Sequence, residues 1–391
     1  MNDIEVIIAL LLLFMAVPDV CRRLGRPALA FPAFVVFGIV LGPLASAGVE
    51  TMLHGAGVVG FLLLLFQVGL EIDLPQPREL RAAASFAVPW ALVQYPVVLM
   101  LTTVAGLGLT ESLLAAAALT GVSVGMSYPA WKNYPGLAEG ERGRILRILI
   151  VLEAMTIILL AVGAPALEAG LSWFMLLRLG GIALTLLLVA RFARHVRQLF
   201  QVILERTTLW RTHLLVLLVL VVCAAGERLG LAAAKTAFFL GLFMSRTEHE
   251  GKGLEEYAAP VSERFLIPIF FVSLGLRVEW ATVGSLTGLS ALGAAGLLVG
   301  VRQVLHRRWL RVGGDQRAYL LLCPNLTVVA LGTSRLMESP TTAAAASWLL
   351  LTGLFTTVFA IASLPATRKD SGNRSGALSP EAAKAKPLIP A

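Results

Sequence analysis

Long apolar stretches alternate with short polar connections along the chain from Ile4 to Leu364. A helix that crosses the hydrocarbon core of a bilayer needs about 20 predominantly apolar residues. The pattern therefore predicts an all-α integral membrane protein with about thirteen transmembrane helices. The predicted spans are residues 4–20, 27–45, 55–72, 82–106, 111–133, 145–166, 170–190, 212–227, 231–246, 264–278, 284–305, 317–336 and 342–364.

The end of the chain has a different character, because it turns polar from Ala366 and the apolar periodicity vanishes. A segment with so few apolar residues does not bury enough surface to offset the cost of ordering it. We therefore expect a transmembrane domain over residues 1–366 and a disordered cytoplasmic tail over residues 367–391.

Composition and charge placement agree with this interpretation. The chain is 57% hydrophobic and 14% charged, with a mean hydropathy of +0.81, whereas soluble domains carry roughly 25% charged residues. If the N-terminus is outside, the inner segments hold all but six of the 32 Lys and Arg residues. The six exceptions are Arg228, Lys235, Arg277 and Arg335 on the outer side, and Arg178 and Arg302 inside spans.

This distribution follows the positive-inside rule, and one missed span would reverse every later loop. It predicts a plasma-membrane protein with its N-terminus outside and its C-terminus in the cytoplasm. The net charge of +8 thus reflects membrane topology, and we expect no nucleic-acid partner. The three Cys residues show no CxxC spacing, and no nucleophile–base set or P-loop stands out. We expect no enzyme, no cofactor and no resident metal.

Spans 5 and 12 are seven apart in an odd-numbered path, so they cross the membrane in opposite directions. Both are interrupted by polar, Gly or Pro residues, at 120–129 and 323–327. A matched pair of broken helices in opposed halves points to a binding site near the bilayer midplane, although Gly and Pro are also tolerated in membrane helices as simple kinks. The candidate ion- or proton-binding residues here are Thr120, Ser123, Asn325 and Thr327, and Pro129 and Pro324 are the candidate elements of the broken helices.

Glu153 is the sharpest single signal, since it lies about nine residues into apolar span 6. A carboxylate at that depth is costly unless it faces a cavity or a partner, and such residues are functional by default. We interpret Glu153 as a group that exchanges a proton for a cation, the alternative being a structural hydrogen bond between helices. Arg302 in span 11 is a candidate to balance the charge of the site by pairing with Glu153 when no cation is bound. Its alternative is snorkelling toward the cytoplasmic surface.

Five segments, in order along the chain, carry a family resemblance. The segment at residues 60–73, GFLLLLFQVGLEID, resembles the Leu-rich signature FLVGLEIDL of Kef-like cation/proton antiporters. The other four are FGIVLGP at 37–43, ALTGVSVGMSYPAW at 118–131, AFFLGLFMS at 237–245 and PIFFVSLGLRVE at 268–279. The resemblance covers residues 4–364, nearly the whole predicted membrane domain.

This resemblance implies two inverted repeats, a dimerising panel and a mobile core with crossed broken helices, and hence a homodimer in the membrane lipid. It also implies that Glu153 is the essential ion and proton carrier, that Arg302 holds the basic position of span 11, and that Ser123 is the Ser of the first break. The sequence departs from the family pattern at Leu152 and Val122, which are apolar, and at 324–327, where both charges of the family motif are lost.

The function that follows is secondary active exchange of Na⁺ or K⁺ for protons by alternating access. With one titratable carrier we expect the exchange to be electroneutral. Two alternatives remain open at this point. One is a transporter of organic solutes, or a sodium-coupled one, on the same fold, which the apolar Leu152 and Val122 favour. The other is a membrane sensor or complex subunit that transports nothing.

Overall fold

The computed structural model describes residues 3–71, 77–132, 134–135, 137–160, 198, 202, 210–228, 233–244, 248–249, 252–337 and 340–365. Predicted span 7 (170–190) and the predicted tail (367–391) lie outside these residues. The count of thirteen spans therefore stays a prediction, as does the division of the chain at residue 366.

The N-terminal half consists of long apolar helices joined by short turns. Two of them meet end to end in the region of predicted span 5, where the chain opens for three residues between α5 and α6. The helices are α1 (Asp3–Arg23), α2 (Ala30–Leu41), α3 (Ala47–Glu71), α4 (Pro77–Val104), α5 (Leu109–Thr120), α6 (Val124–Lys132) and α7 (Glu139–Ile158).

The C-terminal half repeats this plan. A 3-10 turn (Ala318–Leu322) and α14 form a second interrupted helix in the region of predicted span 12. The helices are α8 (Arg211–Arg228), α9 (Ala233–Met244), α10 (Leu254–Val261), α11 (Ile267–Leu276), α12 (Trp280–Gly284), α13 (Leu286–Arg308), α14 (Leu326–Leu336) and α15 (Ala343–Ser363). A hairpin of two-residue strands, β1 (Glu248–His249) and β2 (Lys252–Gly253), precedes α10.

Within the described residues, eight helical stretches are long and apolar enough to cross a membrane. They are Ile4–Arg23, Pro27–Leu44, Ala47–Leu70, Arg81–Val104, Leu109–Tyr128, Leu286–Arg308, Ala318–Leu336 and Ala343–Ser363. Most predicted boundaries lie within a few residues of the observed ones. One clear difference is α3, which begins at Ala47 rather than at 55. Its first turns carry Glu50 and His54, so hydropathy alone does not recognise them as helix.

Predicted span 10 also begins earlier, because α10 continues into α11 through a π-helical turn at Ser262–Leu266. The Gln67 side chain of α3 donates from Nε2 to Ser262 Oγ at 2.7 Å, and Ser262 Oγ donates to Ala258 O at 2.8 Å. A π-turn frees one backbone carbonyl from its normal partner. Here the turn lies directly against the buried amide of α3.

Two pairs of glycines bring helices into backbone contact. A methyl group on Gly38 of α2 would lie 2.2 Å from Val272 O, and one on Gly275 of α11 would lie 2.2 Å from Val35 O. Only glycine allows so close an approach. The contact between α3 and α9 has the same form.

In that second contact, a methyl group on Gly69 would lie 2.3 Å from Phe238 O, and one on Gly241 would lie 2.0 Å from Phe66 O. The first contact joins predicted spans 2 and 10, and the second joins spans 9 and 3. Spans 2 and 9 are equivalent in the two repeats, as are spans 3 and 10, because the members of each pair are seven spans apart. The contact between spans 2 and 10 is therefore the counterpart of the contact between spans 9 and 3. The two glycine contacts are thus related to each other by the internal repeat that the sequence predicts.

Candidate functional site

The two interruptions cross each other. Helix α5 ends at Thr120 and α6 begins at Val124, while the 3-10 turn ends at Leu322 and α14 begins at Leu326. Three residues are unwound in each case. The backbone N–H of Ser123 in the first break donates to the carbonyl of Pro324 in the second at 2.8 Å. Unwound backbone survives at membrane depth only where protein or water supplies its hydrogen bonds, and here the two breaks supply one to each other.

Glu153 of α7 reaches the first break. Its side chain is fully buried, and Oε2 accepts a hydrogen bond from the backbone N–H of Val124 at 3.0 Å. Val124 is the first residue of α6, so the carboxylate meets the positive end of that helix. Helix N-termini favour negative charge because their first N–H groups have no partner within the helix. The fold thus provides a specific place for this buried acid.

At the second break, neutral groups take the corresponding positions. The backbone N–H of Asn325 donates to Thr357 Oγ1 of α15 at 3.2 Å, and the Asn325 side chain donates from Nδ2 to Leu119 O at 3.1 Å. Thr327 Oγ1 donates to Ser123 Oγ across the crossing. The structure therefore brings together Ser123, Asn325 and Thr327, three of the residues that the sequence selects, in one buried network.

Arg302 of α13 lies fully buried at the opposite helix ends. Its Nε donates to Gln94 Oε1 of α4 at 2.8 Å, its Nη1 to Cys323 O at 3.4 Å, and its Nη2 to Leu119 O. Both carbonyls belong to the last residues before or within a break, where a helix presents its negative end. A cation there is favourable for the same reason that an anion is favourable at an N-terminus.

The hydrogen bonds of Arg302 therefore go to helix ends and to Gln94, rather than to Glu153 as the charge-balance hypothesis expects. The guanidinium neutralises the C-terminal ends of the broken helices, and Glu153 neutralises the N-terminal end of α6. Each of the two charges thus lies at helix ends that belong to the two breaks.

Three further predicted residues have distinct places. Thr120 is buried, and its hydroxyl bonds back to Ala116 O at 2.7 Å within its own helix. Pro324 lies inside the second break and accepts the bond from Ser123. Pro129 does not mark the first break, because it lies six residues into α6. The interruption instead begins at Gly121, a residue type that weakens a helix and here also permits close packing.

Sequence reasoning missed Gln94 and Thr357, and it did not single out Gly121 within the first break. Glutamine and threonine are not charged, so their presence in an apolar span gives a much weaker signal than Glu153 does. The internal repeat, however, could have pointed to two of these residues. Gln94 and Thr357 lie in predicted spans 4 and 13, which are seven spans away from those of Arg302 and Glu153.

The geometry defines a class of protein: a membrane transporter with two crossed broken helices and one buried carboxylate at the crossing. The protein family described as "Sodium/hydrogen exchanger, transmembrane" matches residues 7–369 of the chain. The chain belongs to the sodium/hydrogen exchanger family.

Among individual proteins, the chain is 26% identical over 299 residues to the probable Na⁺/H⁺ antiporter GerT of Bacillus cereus, covering 71% of this chain and 75% of GerT. It is 25% identical to the Na⁺/H⁺-K⁺ antiporter GerN of the same organism, covering 68% and 69%. The solved structure of the sodium proton antiporter MjNhaP1 from Methanocaldococcus jannaschii matches with a TM-score of 0.61 over 92% of this chain and 95% of that one. Since the sequence identity with MjNhaP1 is 14%, that similarity shows the fold.

Proposed function

We propose that the protein exchanges a monovalent cation, Na⁺ or K⁺, for protons, with Glu153 as the carrier. The proposal depends mainly on the position of this carboxylate, which is buried at the N-terminal end of α6 where two unwound segments cross. A carboxyl group there binds either a proton or a cation, because the low-dielectric surroundings penalise a bare negative charge. Family membership and the names of the relatives support the same exchange.

Reconstitution in liposomes tests this proposal. Vesicles that contain a pH-sensitive dye and an imposed proton gradient receive Na⁺, K⁺ and Li⁺ in turn, with choline as the control cation. We expect at least one of the three ions to dissipate the gradient only when the protein is present. If none does, the exchange proposal fails, and the sensor interpretation gains support.

We further propose that the exchange is electroneutral. One carboxyl carrier holds either one proton or one monovalent cation, and the neighbouring Leu152 does not titrate. Movement of a net charge couples to voltage by about 2.3 kcal/mol per 100 mV. The rate with Na⁺ should therefore hardly change when K⁺ and valinomycin impose a potential. A clear acceleration would require a second charge carrier, and Arg302 would be examined first.

The topology and assembly are also proposals. The charge distribution supports a plasma-membrane protein with its N-terminus outside and its C-terminus in the cytoplasm. In intact cells, a tag after Ala391 should resist external protease, whereas a tag inserted at Ser46, just before α3 begins at Ala47, should be cut. The apolar, exposed side chains of α1, such as Ile8 and Met15, suit either lipid or a second copy. We propose a homodimer, which the mass of the purified protein in detergent would test.

A further inference from the structure

Thr156 lies one turn beyond Glu153 on α7, so both side chains project from the same face of the helix. Glu153 meets the end of the first break through the N–H of Val124. Thr156 meets its beginning, since a methyl group on Gly121 would lie 2.4 Å from Thr156 Oγ1 and 2.7 Å from its Cγ2. Together the two side chains bracket the unwound residues 121–123.

The hydroxyl of Thr156 lacks the hydrogen bond that Thr120 and Thr352 make, as does that of Thr333 in α14. A buried threonine in a helix normally donates back to the carbonyl four residues earlier, as Thr120 does at 2.7 Å and Thr352 does at 2.8 Å. Thr156 is 1% exposed, yet its Oγ1 forms no hydrogen bond with any residue that the structure describes. A buried polar atom in this state is costly unless a ligand satisfies it.

The surroundings indicate which ligand. A dehydrated alkali cation is held by oxygen atoms, and in transporters these include carbonyls of unwound helices. The last carbonyls of a helix have no partner within it, and α5 ends at Thr120, next to this hydroxyl. A carboxylate and a hydroxyl therefore lie at one short unwound segment, next to the C-terminal end of α5.

We propose that Thr156 is a specificity-determining ligand for the transported cation, binding it through Oγ1 opposite Glu153. The inference rests on the proposed exchange function and extends it to a second side chain. Glu153 supplies the charge that the cation and the proton share. Thr156 supplies a neutral oxygen that only the cation requires, and Gly121 fixes that oxygen in place by packing directly against it.

The test uses the full chain and two measurements. The first is the Na⁺ concentration that gives half of the cation-dependent rise in unfolding temperature, against choline, for purified protein. The second is proton flux in proteoliposomes as a function of Na⁺ and of K⁺. The variants are Thr156→Val, which removes the hydroxyl, Thr156→Ser, which keeps it, and Thr352→Val as the matched control.

We expect Thr156→Val to raise the half-maximal Na⁺ concentration about tenfold in both measurements. This is the loss of affinity that we expect when one oxygen ligand of the cation is removed. The unfolding temperature in choline should stay close to that of the wild type, and the Na⁺-to-K⁺ preference should change. Thr156→Ser and Thr352→Val should behave as the wild type does.

Equal titrations for Thr156→Val and the wild type would overturn the proposal, as would equal shifts in the Val and Ser variants, which would assign the effect to shape. If Thr156→Val is unstable in choline, Thr156→Ala, which relieves packing against Gly121, is judged by the same criterion. Failure of the exchange function looks different: the wild type would then show cation-dependent stabilisation without flux. A wild type with neither response overturns both proposals.

Discussion

In the N-terminal half of the protein, the backbone N–H that follows the break is capped by the carboxylate of Glu153, at 3.0 Å from Val124 N. In the C-terminal half, the N–H of Asn325 in the second break is capped by the hydroxyl of Thr357, at 3.2 Å. Glu153 and Thr357 lie in helices seven predicted spans apart. The same geometric task is thus performed once by a charged group and once by a neutral one.

Predicted spans 4 and 11 also correspond to each other, and here the charged residue lies in the C-terminal half instead of the N-terminal half. Gln94 is the buried amide of the first half and Arg302 the buried cation of the second, and the two are hydrogen bonded to each other at 2.8 Å. Each half therefore keeps one charge and one neutral counterpart. Since Thr357 caps the second break with a neutral hydroxyl, the charge of Glu153 supports the carrier role that we propose for it.

The largest expected effect comes from removing that charge. Glu153→Gln keeps an acceptor for Val124 N, so the protein should fold and insert while cation-dependent proton flux is lost. Glu153→Asp should retain partial flux with an altered cation preference. Glu139→Gln, at the exposed start of the same helix, is the matched control in the liposome assay. Full activity of Glu153→Gln would make the two breaks equivalent and remove Glu153 from the mechanism.

Removing the cation should be the next most damaging change. Arg302→Met leaves Cys323 O and Gln94 Oε1 without their donor, at a cost of about 1–3 kcal/mol for each unsatisfied group. We expect a lower unfolding temperature together with reduced flux. Arg308→Met, at the exposed end of the same helix, should change neither. An Arg302→Met protein as stable as the wild type would mean that the helix ends need no cation.

A smaller loss is expected where the first break packs against α7. Gly121→Ala places a methyl group 2.4 Å from Thr156 Oγ1, and overpacking of this kind costs about 1–3 kcal/mol. Gly296→Ala in α13 meets no atom within 4 Å among the described residues and should be neutral or slightly stabilising. Thermal unfolding of the two variants compares them directly. Equal stabilities would show that Gly121 is not there for close packing.

The smallest effect should follow from the neutral cap. Thr357→Val removes hydrogen bonds to Asn325, of which each contributes about 0.5–1.5 kcal/mol, and leaves every charge in place. Flux should persist, with a slightly lower unfolding temperature that Thr357→Ser restores. If Thr357→Val abolished exchange as completely as Glu153→Gln, the second break would also belong to the transport chemistry.

The sequence allowed the prediction of both interruptions and of the buried acid, because Gly, Pro and a carboxylate are conspicuous in apolar spans. It did not locate the first break within residues 120–129, since it does not reveal which of the Gly, Pro and polar residues there the helix tolerates, as α6 tolerates Pro129. The hydrogen-bond partners of Arg302 could not be predicted from the sequence either. They are two backbone carbonyls, which every residue carries, and the amide of Gln94, whose position becomes meaningful only when the two halves are brought together.

The glycine contacts also have a mechanical consequence. At Gly38, Gly275, Gly69 and Gly241 a carbonyl of one helix occupies the space that a side chain would fill on the other. Sliding either helix by even one residue, a rise of about 1.5 Å, would drive a side chain into that carbonyl. The pair α2 and α11 and the pair α3 and α9 therefore each resist sliding along their own contact. The movement that the proposed exchange requires of Glu153 should run along surfaces where helices touch through side chains, which yield by changing rotamer.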